Sequence, residues 1–151
     1  MNKWIVTSFV FLVFSAQALA SEGRPPRSLG DLPAVWNGIA GDLFSRTTSS
    51  FVVEKIKTET RNDKENYFSA SYEVTATIKF GTKTLRVTQV DLSGAVNYPN
   101  VLEAILYIDD ELVPILSTVI LYEGASHTFS MKEVIGTGGD RRFSLTSASP
   151  F

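Results

Sequence analysis

The sequence predicts a mainly β domain over residues 31–147. It reads as an antiparallel β-sandwich of about seven strands, Ig-like or small-barrel-like, preceded by one N-terminal α-helix. Three observations carry this reading. Apolar and polar residues alternate with period two from Phe51 onward. Turn-forming residues recur at short intervals between the alternating runs. The chain has no cysteine and a hydrophobic fraction of 44%, so the fold must be held by an apolar core rather than by disulfides.

The elements follow in chain order. Residues 1–20 have the three parts of a signal peptide: Lys3 in the n-region, Trp4 to Phe14 as the apolar stretch, and Ala18-Leu19-Ala20 as a small-residue cleavage site. The apolar stretch is shorter than the roughly 20 residues that span a bilayer. No integral membrane span is therefore expected after cleavage near Ala20. With no cysteine to carry a lipid and no N-x-S/T sequon, the expected location is periplasmic or secreted, in a bacterium. Residues 21–30 are polar and proline-bearing and read as a flexible mature N-terminus. Residues 148–151 read as a short tail.

The helix is expected from Asp31 as cap, Pro33 in the first turn, and Val35, Trp36, Ile39, Ala40, Leu43 and Phe44 at helical spacing. Gly38 and Gly41 weaken it by about 1 kcal/mol each, so it would form only by docking its aromatic face on another surface. Strands are expected at 51–61, 68–80, 83–92, 101–108, 111–121, 126–133 and 141–147. The turns between them fall at Asn62–Glu65, Gly81-Thr82, Asp109-Asp110, Glu123-Gly124 and Gly136–Asp140. The strand from Phe68 to Phe80 alternates most strictly. Pro114 argues that the strand at 111–121 is an edge, bulged or split there.

Charge narrows the function. The net charge of −2 leaves no electrostatic footprint for nucleic acid. Between Arg86 and Lys132 there is no Lys or Arg, while Asp91, Glu103, Asp109, Asp110, Glu111 and Glu123 all fall there. That stretch is also the most apolar, which suits central core strands or a face that meets a partner.

The chemistry-bearing residue types are sparse. His127 is the sole histidine and has no G-x-S-x-G serine to serve; it reads as a turn residue. Asp109-Asp110-Glu111 lacks the spacing of a calcium loop and reads as a hairpin tip. Gly136–Asp140 matches no phosphate-binding motif. No enzyme, no cofactor and no metal site is expected. A membrane-barrel reading, prompted by the aromatic-flanked alternating strand and Phe151, is weakened by Pro150 and by the imperfect alternation of 101–121.

By elimination, the expected function is a non-enzymatic protein-binding or assembly role, as an accessory domain of a secretion, pilus or fibre-type envelope system. Its partner would be another envelope or extracellular protein. The oligomeric state is left open. Two surfaces are candidates: the helix face of Trp36, Ile39, Leu43 and Phe44 as a docking helix, and the acidic-apolar hairpin of Tyr107, Asp109, Asp110, Glu111 and Leu112 as an edge strand for β-augmentation. The alternative is a periplasmic small-molecule or glycan binder, with Tyr67, Phe68, Tyr72 and Tyr98 as its natural lining. A carboxylate-based hydrolase comes third.

Overall fold

The computed structural model of the chain describes residues 25–41, 46–109, 115–135 and 142–148. Eight strands follow one another in the order β1 to β8, each antiparallel to the next, and β1 returns to β8 to close a barrel. They are β1 (Val35–Gly41), β2 (Arg46–Asp63), β3 (Tyr67–Phe80), β4 (Lys83–Ala95), β5 (Val101–Ile108), β6 (Ile115–Glu123), β7 (Thr128–Ile135) and β8 (Arg142–Ala148). One 3-10 turn, Leu29–Asp31, precedes β1.

This corrects two expectations. The N-terminal helix is a strand, and the sandwich is a barrel. Both have one cause. Trp36 and Ala40 lie four residues apart, a spacing that places two side chains on one face in a helix and in a strand alike. The intervening pairs break the tie. In β1, Trp36 and Ala40 face the core while Val35 and Ile39 face outward, 47% and 44% exposed. A helix would have gathered all four into one stripe. The β-branched residues and the two glycines of V-W-N-G-I-A-G also disfavour a helix. With β1 extended, it bridges β2 and β8, and two sheets that would otherwise face each other become one closed surface without lateral edges there.

The seam between β1 and β8 depends on Gly38. It sits opposite Leu145, and a Cβ there would run into the backbone carbonyl of Ser144. Gly81 is the second glycine with a structural reason. At φ +60° it makes the two-residue turn from β3 to β4, and its N–H donates to the Thr48 carbonyl at 2.9 Å.

The alternation runs apolar inward and polar outward. Along β3, Phe68, Ala70, Tyr72, Val74, Ala76 and Ile78 are buried, while Glu73 and Lys79 are exposed. An eight-stranded barrel is just wide enough for its side chains to fill the interior. Trp36, Phe51, Tyr72, Leu106, Met131 and Leu145 meet there with almost no exposure. Aromatic packing gives the centre definite geometry: Trp36 stands edge-on to Phe129 at 5.9 Å between ring centroids, and Tyr122 stacks on Phe129 at 4.7 Å. The Trp36 Nε1–H donates to the Pro33 carbonyl at 2.8 Å. Two buried hydroxyls are likewise satisfied, Ser49 by donating to the Lys79 carbonyl and Thr118 to that of Lys132.

A membrane barrel has the opposite sense, with an apolar band facing lipid. Here Lys55, Lys57, Glu73, Lys79 and Asp91 belong to the outer surface. No helix among the described residues is long and apolar enough to cross a membrane.

The strands are unequal in length, and this shapes the surface. β1 pairs with β2 only up to Val52, whereas β2 runs on to Asp63 beside β3. Leu29 and Leu32 of the preceding segment turn inward under this overhang and join the core.

Candidate functional site

The long strands β2 to β5 present a continuous outer face at the end of the barrel that holds the β2–β3 turn. Their outward positions there carry small polar side chains. Thr60 lies opposite Ser71, Asn62 opposite Ser69, Ser71 opposite Asp91, and Ser93 opposite Glu103. Short side chains in the middle and longer ones at the margin leave a trough of about 410 Å³. Tyr67 stands at one margin, 44% exposed, and Ile105 and Glu103 line the other.

Asp91 is the hub of the polar side chains on the trough's face. Its Oδ1 accepts from the Ser71 hydroxyl at 2.7 Å and from Gln89 Nε2 at 2.8 Å, and its Oδ2 accepts from the Tyr107 hydroxyl at 2.8 Å. Gln89 Nε2 also donates to Ser71 Oγ at 3.0 Å. Three strands therefore supply donors to one carboxylate. Partial burial pushes its pKa upward, but the donors from Gln89, Ser71 and Tyr107 outweigh burial and hold it below its ordinary value. The same contact to Asp91, together with desolvation, raises the Tyr107 hydroxyl. Asp91 is thus an anion at ordinary pH, hydrogen-bonded on both oxygens.

Arg61 lies on the opposite, inner face of β2, across from the buried Ala70. It donates to Asp63 through Nε at 3.1 Å and to Glu59 through Nη1 at 2.8 Å, and it lies 5.6 Å over the Phe68 ring. The carboxylates of Asp63 and then Glu59 hold its guanidinium still more firmly protonated than usual. Nη1 also donates to the Tyr72 hydroxyl at 3.2 Å, whose own pKa burial raises. Four of its five N–H donors are used within its own strand and β3. The trough is acidic in character: Asp91 and Glu103 belong to its face, while the Arg61 guanidinium is held by Glu59 and Asp63 on the other face of β2.

Beside the trough the outer face becomes apolar. Val101 lies opposite Leu121, and Glu103 opposite Val119; Leu121 is 39% exposed. This is the cation-free stretch, and it supplies both core and outer face: Leu102, Ala104 and Leu106 point in while Val101, Ile105 and Tyr107 point out.

The sequence-predicted site residues are dispersed. Trp36 is in the core and Ile39 on the outside, on opposite faces of β1. Leu43 and Phe44 lie outside the described residues, as do Asp110, Glu111 and Leu112. Tyr107 joins the trough through Asp91. Asp109 instead accepts from Arg86 Nη2 at 2.8 Å, pinning the end of β5 to β4. Of the proposed aromatic lining, Tyr67 reaches the trough, Phe68 and Tyr72 are buried, and Tyr98, 69% exposed, stands at a small cleft beside Pro25 and Pro26. His127 occupies the β6–β7 turn with φ 50°, its Nδ1 3.4 Å from the Tyr122 hydroxyl. No cluster of metal-ligating side chains occurs among the described residues.

In the sequence Asp91 stands out only as one acid of the cation-free stretch, and Gln89 and the serines do not stand out. The signal was present: the outward positions 69, 71, 91 and 93 carry Ser or Asp where a fully solvated face would carry Lys, Glu or Thr. Compared with known proteins, the chain matches no family model, no curated relative and no solved structure.

Proposed function

We propose that the chain is an exported, non-enzymatic binding domain whose ligand is a neutral, hydroxyl-rich molecule such as a glycan segment, taken in the trough on β2 to β5. The observation that carries this is the Asp91 cluster. A carboxylate already organised by Ser71, Gln89 and Tyr107 accepts a further hydrogen bond with little ordering cost. The hydroxyls of Ser69 and Ser93, the Asn62 amide and the Glu103 carboxylate surround it. Together they offer both donors and acceptors, which is what vicinal hydroxyls require. Tyr67 adds an apolar face at the margin. Asp91 and Glu103 disfavour phosphate and other anions, because Arg61 is already neutralised. A packed barrel interior also favours a site on the outside rather than within.

The test is a screen of neutral oligosaccharides followed by calorimetric titration. Binding should weaken at least about tenfold in Asp91→Asn, the loss of one charge-assisted hydrogen bond, and also in Tyr67→Ala. Binding indifferent to both substitutions would remove the proposal, as would a screen without a ligand.

A second reading is favoured by one specific observation. The apolar strip of Val101, Val119 and Leu121 beside the trough suits a protein partner, as an accessory envelope domain would need. Leu121→Lys should then abolish capture of a defined envelope protein while leaving the oligosaccharide titration unchanged.

A further inference from the structure

The barrel is closed, yet one strand edge is left open. β1 accompanies β2 only to Val52, and Val53 N–H is taken by the Ala34 carbonyl at 2.8 Å. Beyond that point, among the described residues, β2 is paired with β3 alone, and Glu54 to Asp63 are exposed throughout. An unpaired edge of this length is a template for another strand.

The edge is partly protected. Register shifts lie between Val53 and Lys55 and between Ile56 and Thr58, and such bulges interrupt pairing. They confine regular pairing to Thr58–Asp63. Within that segment the charges decide which strand fits. The sequence T-E-T-R-N-D is complementary to itself when reversed about Thr60. Glu59 then faces Arg61 of a second copy, Arg61 faces its Glu59, and Thr60 faces Thr60.

Neighbouring registers that keep inner faces together are worse. Centring on Glu59 sets Glu59 against Glu59. Centring on Arg61 sets Arg61 against Arg61 and Glu59 against Asp63. Like charges directly opposite destabilise a strand pair and opposite charges support it.

We propose that two copies of this chain associate through the free edge of β2, antiparallel and two-fold symmetric about Thr60. The contact is isologous, so it closes at two copies rather than growing into a fibre. Thr60 and Asn62 lie on the outer face, so the two troughs adjoin across the axis. A repeating ligand could then be held at both.

The test uses a cysteine-free chain as its own blank. Sedimentation of the purified wild-type protein should show a dimer at about 0.1 mM, a concentration that populates even a micromolar interface. A purely monomeric wild type there overturns the proposal. Thr60→Cys should give a disulfide-linked dimer under mild oxidant, since directly opposed residues in antiparallel strands lie about 4.5–5.5 Å apart at Cα, within disulfide reach. Thr58→Cys faces Asn62 of the other copy and should cross-link far more slowly; equal cross-linking of the two overturns the register.

Charge supplies a further arm that does not depend on either cysteine. Glu59→Arg and Arg61→Glu should each be monomeric alone, checked as folded by circular dichroism. Mixed one to one they should dimerise, because each variant's charges then face their opposites. Variants that stay dimeric singly would show that a different surface holds the copies together.

Discussion

Replacing Trp36 with Ala should cost about 4–5 kcal/mol of stability. Trp36 is 1% exposed at the centre of the barrel, and truncating a core aromatic to Ala typically costs about 3–5 kcal/mol through lost transfer energy and the cavity left behind. Two features of this site push the figure to the upper end. The edge-on contact with Phe129 contributes about 1 kcal/mol beyond area. The Pro33 carbonyl loses the indole N–H that it accepts at 2.8 Å, which costs about 1 kcal/mol more if no water replaces it. For a chain of this size, each kcal/mol moves the melting temperature by about 3–4 °C, so the shift should be about 12–20 °C downward. Thermal and urea unfolding followed by far-UV circular dichroism measure it directly. Trp36→Phe keeps a ring against Phe129 and loses the hydrogen bond and part of the volume, so it should cost about 1–2 kcal/mol. A Trp36→Ala protein that melts within about 1 kcal/mol of wild type would refute the inward placement of β1. The residue would then be free to act as a docking surface.

Other consequences are equally specific. Gly38→Ala forces a Cβ into the Ser144 carbonyl at the β1–β8 seam; it should destabilise by about 3 kcal/mol or more, and hydrogen exchange should accelerate first in β1 and β8. Asp91→Asn removes the carboxylate that Ser71, Gln89 and Tyr107 organise and should cost about 1 kcal/mol near neutral pH. Because the Asp91 pKa is lowered in the folded state, its contribution is present above the ordinary carboxyl value and is lost as pH falls through the lowered one. Acid titration of stability from about pH 4 downward should accordingly be flatter in Asp91→Asn than in wild type. Arg86→Ala breaks the exposed pair with Asp109 and should change stability by less than about 1 kcal/mol.

Most of the strand map was legible in the sequence because period two is a strong signal where one face is wet. The stretch from Phe68 to Phe80, the Gly81-Thr82 turn and the strand at 101–108 stand where alternation and turn chemistry put them. The helical reading of the segment 31–44 does not hold over Val35–Gly41, which is β1. Its apolar residues fall in adjacent pairs, Val35-Trp36 and Ile39-Ala40, and a spacing of four satisfies both helical and extended periodicity. The choice between them is made by tertiary structure, since β2 and β8 each need a partner along one edge. That same segment decides between sandwich and barrel, so one local ambiguity became a global one.

The trough was less legible, for a different reason. It is assembled from positions 60–71 and 89–107, which come together only through strand register. In sequence, Ser71, Gln89, Asp91 and Tyr107 are four unremarkable polar residues. The geometry that joins them is the pairing of Ser71 with Asp91 and of Gln89 with Tyr107. The cation-free stretch was the visible trace of this site. It marked the acidic outer face carrying Asp91 and Glu103, although not the trough's shape.

Under the proposed function, recognition takes place on the outer face of β2 to β5 and not inside the barrel. Amide chemical-shift mapping during titration with a neutral oligosaccharide tests it most directly. Shifts should be confined to Thr60, Asn62, Ser69, Ser71, Asp91, Ser93 and Glu103, with the interior residues Phe129, Met131 and Leu145 unmoved. Shifts centred on those interior residues, with the trough silent, would contradict it.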